Sequence, residues 1–266
     1  LSWAHTTGDL DLQDVYELTM HPKKKNLYLF DGEWLPLETK RAKLRVGLGK
    51  KQGFKITIKK KYWWSVYGPT FVTEHGTFAF RMPTLFEMNA GEQWYRMNKA
   101  TNYTEFYETL KIQGIVMQNI TYADKNDTIF FIANGKVPKR DPNYDWSKVL
   151  PGDTSATLWT EYLKTEELAQ NLNPACGYVF NTNNCIYNNT CRDYANDPDL
   201  FPVSIGYDAH KQTNRGNRSK EILEGLSHID YEALKKLKFD MQFPDSMVFL
   251  KNYPIMGLFT LNPADY

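Results

Sequence analysis

Residues Asn173 to Asn184 read NPACGYVFNTNN. Three primary amides, Asn181, Asn183 and Asn184, follow the bulky β-forming run Tyr178, Val179 and Phe180, which reads as the end of a strand, with only Thr182 between them. Asparagine is poor inside strands and common in turns, so the local reading is a turn. A carboxamide also offers two N–H donors without a charge. The sharper reading is a donor aimed at something negative. A second candidate is DLDLQD, with Asp9, Asp11, Gln13 and Asp14. Carboxylates and carbonyls are the hard oxygens that Ca²⁺ gathers in sets of about six to eight; an acidic surface loop or a cap is the alternative. Arg218 follows Asn217 where a helix is expected to start. A cation there opposes the helix dipole, so helix physics does not explain it.

Other reactive residue types carry less. His5 lies two residues before Thr7 and invites a Ser–His reading. A triad's partners cannot be placed from spacing, and packing or a hydrogen bond is the expected role. Cys176, Cys185 and Cys191 contain no CxxC pair and no intervening His, which argues against zinc. One disulfide with a spare thiol and three free thiols both fit. Nothing beside Cys185 in sequence would lower its pKa, so it is not read as a nucleophile.

The elements that must position these residues are β-rich in the first half. DVYELTM alternates around Val15, Tyr16 and Leu18. NLYLFDGEWLPLE places Asp31-Gly32 between two apolar runs, a hairpin signal. GFKITIKKKYWWSVYG alternates Phe54, Ile56 and Ile58 against Lys55, Thr57 and Lys59, which predicts a half-buried strand, and Lys59 to Lys61 read as its solvated edge. Asn102 with Glu105 predicts a capped helix carrying Phe106, Thr109 and Leu110 on one face. IVMQNITYA and TIFFIANG read as strands joined by a turn at Asp124 to Asp127. A Pro- and Asp-rich loop spans 136–153, and 160–171 reads as a short helix. Two helices follow, RSKEILEGL and DYEALKKLKF, the second capped by Asp230 with Leu234, Leu237 and Phe239 inside. Strands first with helices interrupting and following predict an α+β layered domain.

The 266 residues suffice for a sizeable core, and 42% hydrophobic with 24% charged residues describes a globular chain. A net charge of +1 gives no global attraction to nucleic acid or membrane surfaces, and no apolar run approaches a membrane span. Leu1 opens the chain in the middle of a pattern, so an internal piece of a longer protein is expected. Sequons at Asn102, Asn119, Asn126, Asn188 and Asn217 are compatible with secretion.

Several stretches, taken in order, carry a resemblance. They are LSWAHTTGDLDLQDVYELT, LFDGEW, YGPTF, NKATNYTEFYETLK, QNITYADKNDTIFFIANGKVPKR, NPACGYVFNTNN and NRGNRSKEILEGL. Together they resemble the β-chain of the penicillin acylase and acyl-homoserine-lactone acylase family of N-terminal-nucleophile hydrolases, from Leu1 to about Phe239. The resemblance implies part of a four-layer αββα sandwich, with residues 1–266 a partial single domain. It implies a serine nucleophile, created by self-cleavage, that attacks an amide carbonyl with its own α-amine as base. Ser2 matches the family's SW strand and not that serine. This chain alone is therefore expected to be inactive, its partners being an acyl-amide substrate, the α-chain and the rest of the β-chain.

The resemblance also implies roles. Asn183 would donate its side-chain N–H to the oxyanion and Thr7 its backbone N–H. Arg218 would orient the site, with Arg215 as the alternative. Asp11, the Gln13 carbonyl and Asp14 would ligate structural Ca²⁺ together with Pro142 and Asp199, for which Asp197 competes. Trp63, Trp64 and Phe71 are possible lining of an apolar acyl pocket. Tyr67 stands where the family often has His, a change expected to affect packing. A periplasmic or secreted location is expected. The readings kept beside this one are a secreted carbohydrate-binding module, suited to the Trp and Tyr content, and an acylase homologue that has lost catalysis.

Overall fold

The computed structural model describes residues 1–47, 55–206 and 212–245; Phe54 lies outside them. In chain order, β1 is Ser2–Thr7, β2 Asp14–Glu17, β3 Leu27–Phe30, β4 Glu33–Pro36, β5 Glu38–Gly47, β6 Lys55–Trp64, β7 Pro69–Thr73 and β8 Gly76–Arg81. Helices α1 (Ala90–Lys99) and α2 (Tyr103–Leu110) precede β9 (Gln118–Ala123) and β10 (Ile129–Asn134). Then come β11 (Leu150–Pro151), β12 (Gln170–Leu172), α3 (Asn214–Glu224) and α4 (Tyr231–Lys238). The mixed α+β class matches the sequence reading.

Local chemistry sets several elements. Asp31 and Gly32 both have positive φ, 48° and 84°, as a two-residue hairpin turn requires, and Phe30 pairs with Glu33 across it. The Asn102 side chain accepts the Glu105 N–H at 2.9 Å, and the Glu105 carboxylate accepts the Thr101 N–H at 2.8 Å. Two N-terminal donors are thus satisfied at α2. Asn102→Ala is expected to cost about 1 kcal/mol in denaturant unfolding. A change within error would mean that packing alone fixes this helix end.

A four-stranded antiparallel sheet runs in the order β1-β9-β10-β12. One core lies between it and the first two helices: Met97, Phe106 and Leu110 pack with Ile120, Tyr122 and Phe130. The second sheet runs β11-β2-β8-β7-β6-β5, and its core gathers Tyr16, Leu18, Tyr28, Leu37 and Tyr67. Tyr67 has the packing role expected. It stacks on Tyr16 with ring centroids 4.1 Å apart and donates its hydroxyl to the Thr154 carbonyl at 2.7 Å. Burial pushes its phenol up to about 12.

Four local readings are corrected. Residues 160–171 form no α-helix: a single 3₁₀ turn at Thr165–Glu167 precedes β12, because Leu172 pairs with Phe130 and tertiary pairing overrides local propensity. Tyr178 to Phe180 form no ladder strand; the Phe180 N–H bonds the Asn189 carbonyl at 2.9 Å instead. Strand β6 is not half-buried. Ile56 and Ile58 are exposed, since the β5–β6 hairpin has no packing layer over them among the described residues. Leu234 and Phe239 are not inside: they are 52% and 70% exposed. The solvated-edge reading of Lys59 to Lys61 agrees with their exposure, these three pairing with Lys43 to Arg41 of β5 while β7 meets β6 only at Trp63 and Trp64.

Candidate active site

The loop that carries Asn183 is built by amides. A Cys176–Cys191 disulfide closes it, and Cys185 is buried outside that disulfide. Asn189, fully buried, donates to the Cys185 and Ile186 carbonyls at 3.2 and 2.6 Å. Asn184 accepts the Thr182 N–H at 2.8 Å and donates to the Asn188 carbonyl at 2.6 Å. Asn181 is the hub. Its Oδ1 accepts from the Thr6 hydroxyl, from Asn119 Nδ2 and from the Asn183 N–H, while its Nδ2 donates to Asn189 Oδ1 at 2.9 Å. Three of the amides are therefore internal scaffolding, a role not read from sequence.

Asn183 itself differs. Its backbone is left-handed at φ 58°, a conformation that Asn tolerates better than most residues. Its side chain is exposed, and Nδ2 donates to the Thr7 carbonyl at 2.9 Å across 176 residues of sequence. Arg215 Nη2 donates to Asn183 Oδ1 at 3.1 Å. A guanidinium can only donate, so the amide oxygen must face Arg215 and the amide nitrogen must face Thr7.

Strand parity places the Thr7 backbone. The Gly8 N–H bonds the Met117 carbonyl at 2.7 Å, which makes those two residues a hydrogen-bonded pair. Pairs alternate along an antiparallel ladder, so Thr7 opposite Gln118 is a non-hydrogen-bonded pair. The Thr7 N–H and C=O therefore both point away from the β9 backbone, although the Asn119 side chain of β9 also reaches the Thr7 carbonyl at 3.3 Å. Since β1 is the edge of its sheet, that side is the outer one, where Asn183 stands.

The structure brings Asn183 and Thr7 together and puts Arg215, not Arg218, on Asn183. Arg218 donates to both Asp240 oxygens at 2.9 Å and to Gln242 Oε1 at 2.8 Å, with Glu221 one turn on. A carboxylate fork holds it away from the amide. Both arginines line one cavity with Thr182, Ile222 and Leu237. The Arg218 hydrogen bonds hold the Asp240 carboxyl below its ordinary 3.8. A depressed folded value means that the pair stabilises at and above the ordinary carboxylate pKa and is lost as pH falls through the folded one. A carbon-detected NMR titration of Asp240 should give a midpoint below 3.8; a midpoint at or above it would show that the pair does not form in solution.

The expected acyl-pocket aromatics lie in the second sheet. Trp63 packs against the second core, Trp64 lies under the Lys40 ammonium at 5.0 Å, and Phe71 is 58% exposed on β7. All three belong to the second sheet, whereas Thr7 ends the first. His5 packs edge-on against Trp94 at 4.8 Å, the packing role expected for it.

The expected calcium ligands are also differently engaged. Asp11 and Asp14 turn their oxygens onto Arg140, whose Nε and Nη2 both lie 3.0 Å from Asp14 Oδ2. Trp159 Nε1 donates to the same oxygen at 2.7 Å. Burial pushes the Asp14 carboxyl up, opposed by Arg140 and the Trp159 N–H. Gln13 and Asp199 are exposed, and Asp199 sits in a 3₁₀ turn capped by Asp197. Pro142 lines a cavity with Arg140 and Asp11. Among the described residues no group of three or more His, Cys, Asp or Glu could hold a metal.

A thermostable penicillin G acylase from Alcaligenes faecalis shares the fold, with a TM-score of 0.68 and 20% identity over 89% of this chain and 40% of that one. The penicillin amidase family model matches residues 1–260, and the chain belongs to that family. Penicillin G acylase of Escherichia coli is 27% identical over 188 residues, covering 69% of this chain and 21% of the relative. The acyl-homoserine lactone acylase PvdQ of Pseudomonas fluorescens is 27% identical over 177 residues, covering 60% of this chain and 22% of the relative. The matches to these curated relatives thus span about a fifth of the relatives' length.

Proposed function

We propose that the chain is the oxyanion-binding portion of a larger amide hydrolase that cleaves an acyl group from an amine. The observation that carries this reading is the convergence of Asn183 Nδ2 on the outer edge of Thr7, 2.9 Å from its carbonyl. Attack on an amide carbonyl places negative charge on oxygen, and each fixed donor there contributes about 3–4 kcal/mol to the transition state. One Nδ2 hydrogen anchors the amide to the Thr7 carbonyl. The second, with the Thr7 N–H, is left to face the developing charge. Arg215 on Oδ1 fixes the amide's orientation and strengthens its N–H donors by polarisation.

The nucleophile of this scheme is a terminal serine activated by its own α-amine, and it lies outside the chain. The chain alone is then inactive, and an α-chain and further β-chain residues complete a four-layer αββα sandwich. The acylases among the relatives support an acyl-amide substrate, such as an N-acyl-homoserine lactone or a β-lactam side chain. A periplasmic or secreted location is supported by the Cys176–Cys191 disulfide, a bond that persists in oxidising compartments. The test is turnover of acyl-amides by the full-length protein with and without the Asn183 amide. An upstream sequence lacking a small residue followed by Ser, Thr or Cys at the self-cleavage junction would favour a homologue without catalysis.

A further inference from the structure

The segment Asp11–Asp14 has the donor types of a calcium site, yet a cation of the chain's own already sits among them. The Arg140 side chain is 0% exposed. Its Nη1 donates to the Asp11 carbonyl at 3.0 Å and to the Ser204 carbonyl at 2.6 Å. Its Nη2 reaches Asp11 Oδ1 at 3.4 Å, and Nε and Nη2 share Asp14 Oδ2 at 3.0 Å. The Trp146 ring lies 5.5 Å from the guanidinium carbon. These oxygens stand at hydrogen-bond distances from nitrogen, set by a planar fork, whereas Ca²⁺ gathers about six to eight oxygens at about 2.3–2.6 Å. Asp14 Oδ1 is buried without a hydrogen-bond partner, but one oxygen does not make a coordination shell.

We propose that Arg140 is a resident cation that replaces a structural calcium ion, its guanidinium tying the Asp11–Asp14 segment to the loop at Ser204, so that the fold needs no calcium here. The consequence is a latent metal site. Removing the guanidinium leaves two carboxylates and two carbonyls facing one another beside the cavity that Asp11 and Arg140 line, and a divalent cation is the natural replacement. This inference does not depend on the acylase reading.

The test uses the full-length protein. Thermal midpoints are measured in chelator, in millimolar Ca²⁺ and in KCl of matched ionic strength, for the parent and Arg140→Ala. Terbium luminescence excited through tryptophan, with Trp159 and Trp146 beside the site, reports occupancy directly. The parent is expected to show the same midpoint in chelator and calcium. Arg140→Ala is expected to unfold at lower temperature, to recover in calcium but not in KCl, and to gain terbium emission at least several-fold. A calcium response of the parent that Asp14→Asn abolishes would overturn the proposal, and so would an Arg140→Ala protein that folds and ignores calcium. If Arg140→Ala does not fold without calcium, refolding with calcium present decides: soluble protein supports the proposal, and its absence overturns it.

Discussion

Asn183→Gly in the full-length protein is expected to lower acyl-amide turnover about 10²–10³-fold while leaving the unfolding midpoint nearly unchanged. Glycine is the informative replacement. Asn183 holds φ at 58°, so alanine would add a left-handed backbone penalty of about 1–2 kcal/mol to the loss of the donor. Glycine removes the donor and leaves the backbone at ease. The loop does not rely on this side chain for its frame, because Asn181, Asn184 and Asn189 make the internal amide contacts. Asn183→Ala is expected to show the same loss of turnover with a lower midpoint. Turnover equal to the parent in both variants would remove the amide from the oxyanion role.

Removing the bridge that closes this loop should act on stability first. Cys176 and Cys191 are 15 residues apart, and closing a loop of that length stabilises the folded state by about 3 kcal/mol through the unfolded chain's lost freedom. The double variant Cys176→Ser with Cys191→Ser is expected to lose about that much in denaturant unfolding. Turnover should fall as well, though less than on deletion of the amide, since Asn181 still ties the loop to Thr6 and Asn119. Reductant should lower the parent's midpoint in the same way. A parent whose midpoint ignores reductant, with all three thiols titrating as free, would rule out the bridge.

What was legible in the sequence was short-range. The Asp31-Gly32 turn, the Asn102–Glu105 cap and the Asp230 cap on α4 are each fixed by residues within a few positions of one another. What was not legible depended on distant partners. Gln170–Leu172 is a strand because β10 lies beside it. Arg140 meets Asp11 and Asp14 from 129 and 126 residues away, and no spacing rule links them. Which arginine meets Asn183 has a usable signal in the sequence. Arg218 has Glu221 at i+3, a carboxylate to occupy it on its own helix, while positions three and four from Arg215 are Gln212, Lys211, Arg218 and Ser219. The arginine without a local acid is the one that reaches out to Asn183. The positions of Asn183 and Thr7 came from the ordered motifs, and only strand parity shows why Thr7's backbone faces outward.

The left-handed backbone at Asn183 has a consequence for which sequences can occupy the site. Glutamine carries the same chemical group, but its extra methylene shifts the donor and its side chain lacks asparagine's ease at positive φ. Aspartate accepts the backbone and offers no N–H when ionised. Two unrelated filters, one conformational and one chemical, therefore overlap on a single amino acid: glutamine fails the first and aspartate the second.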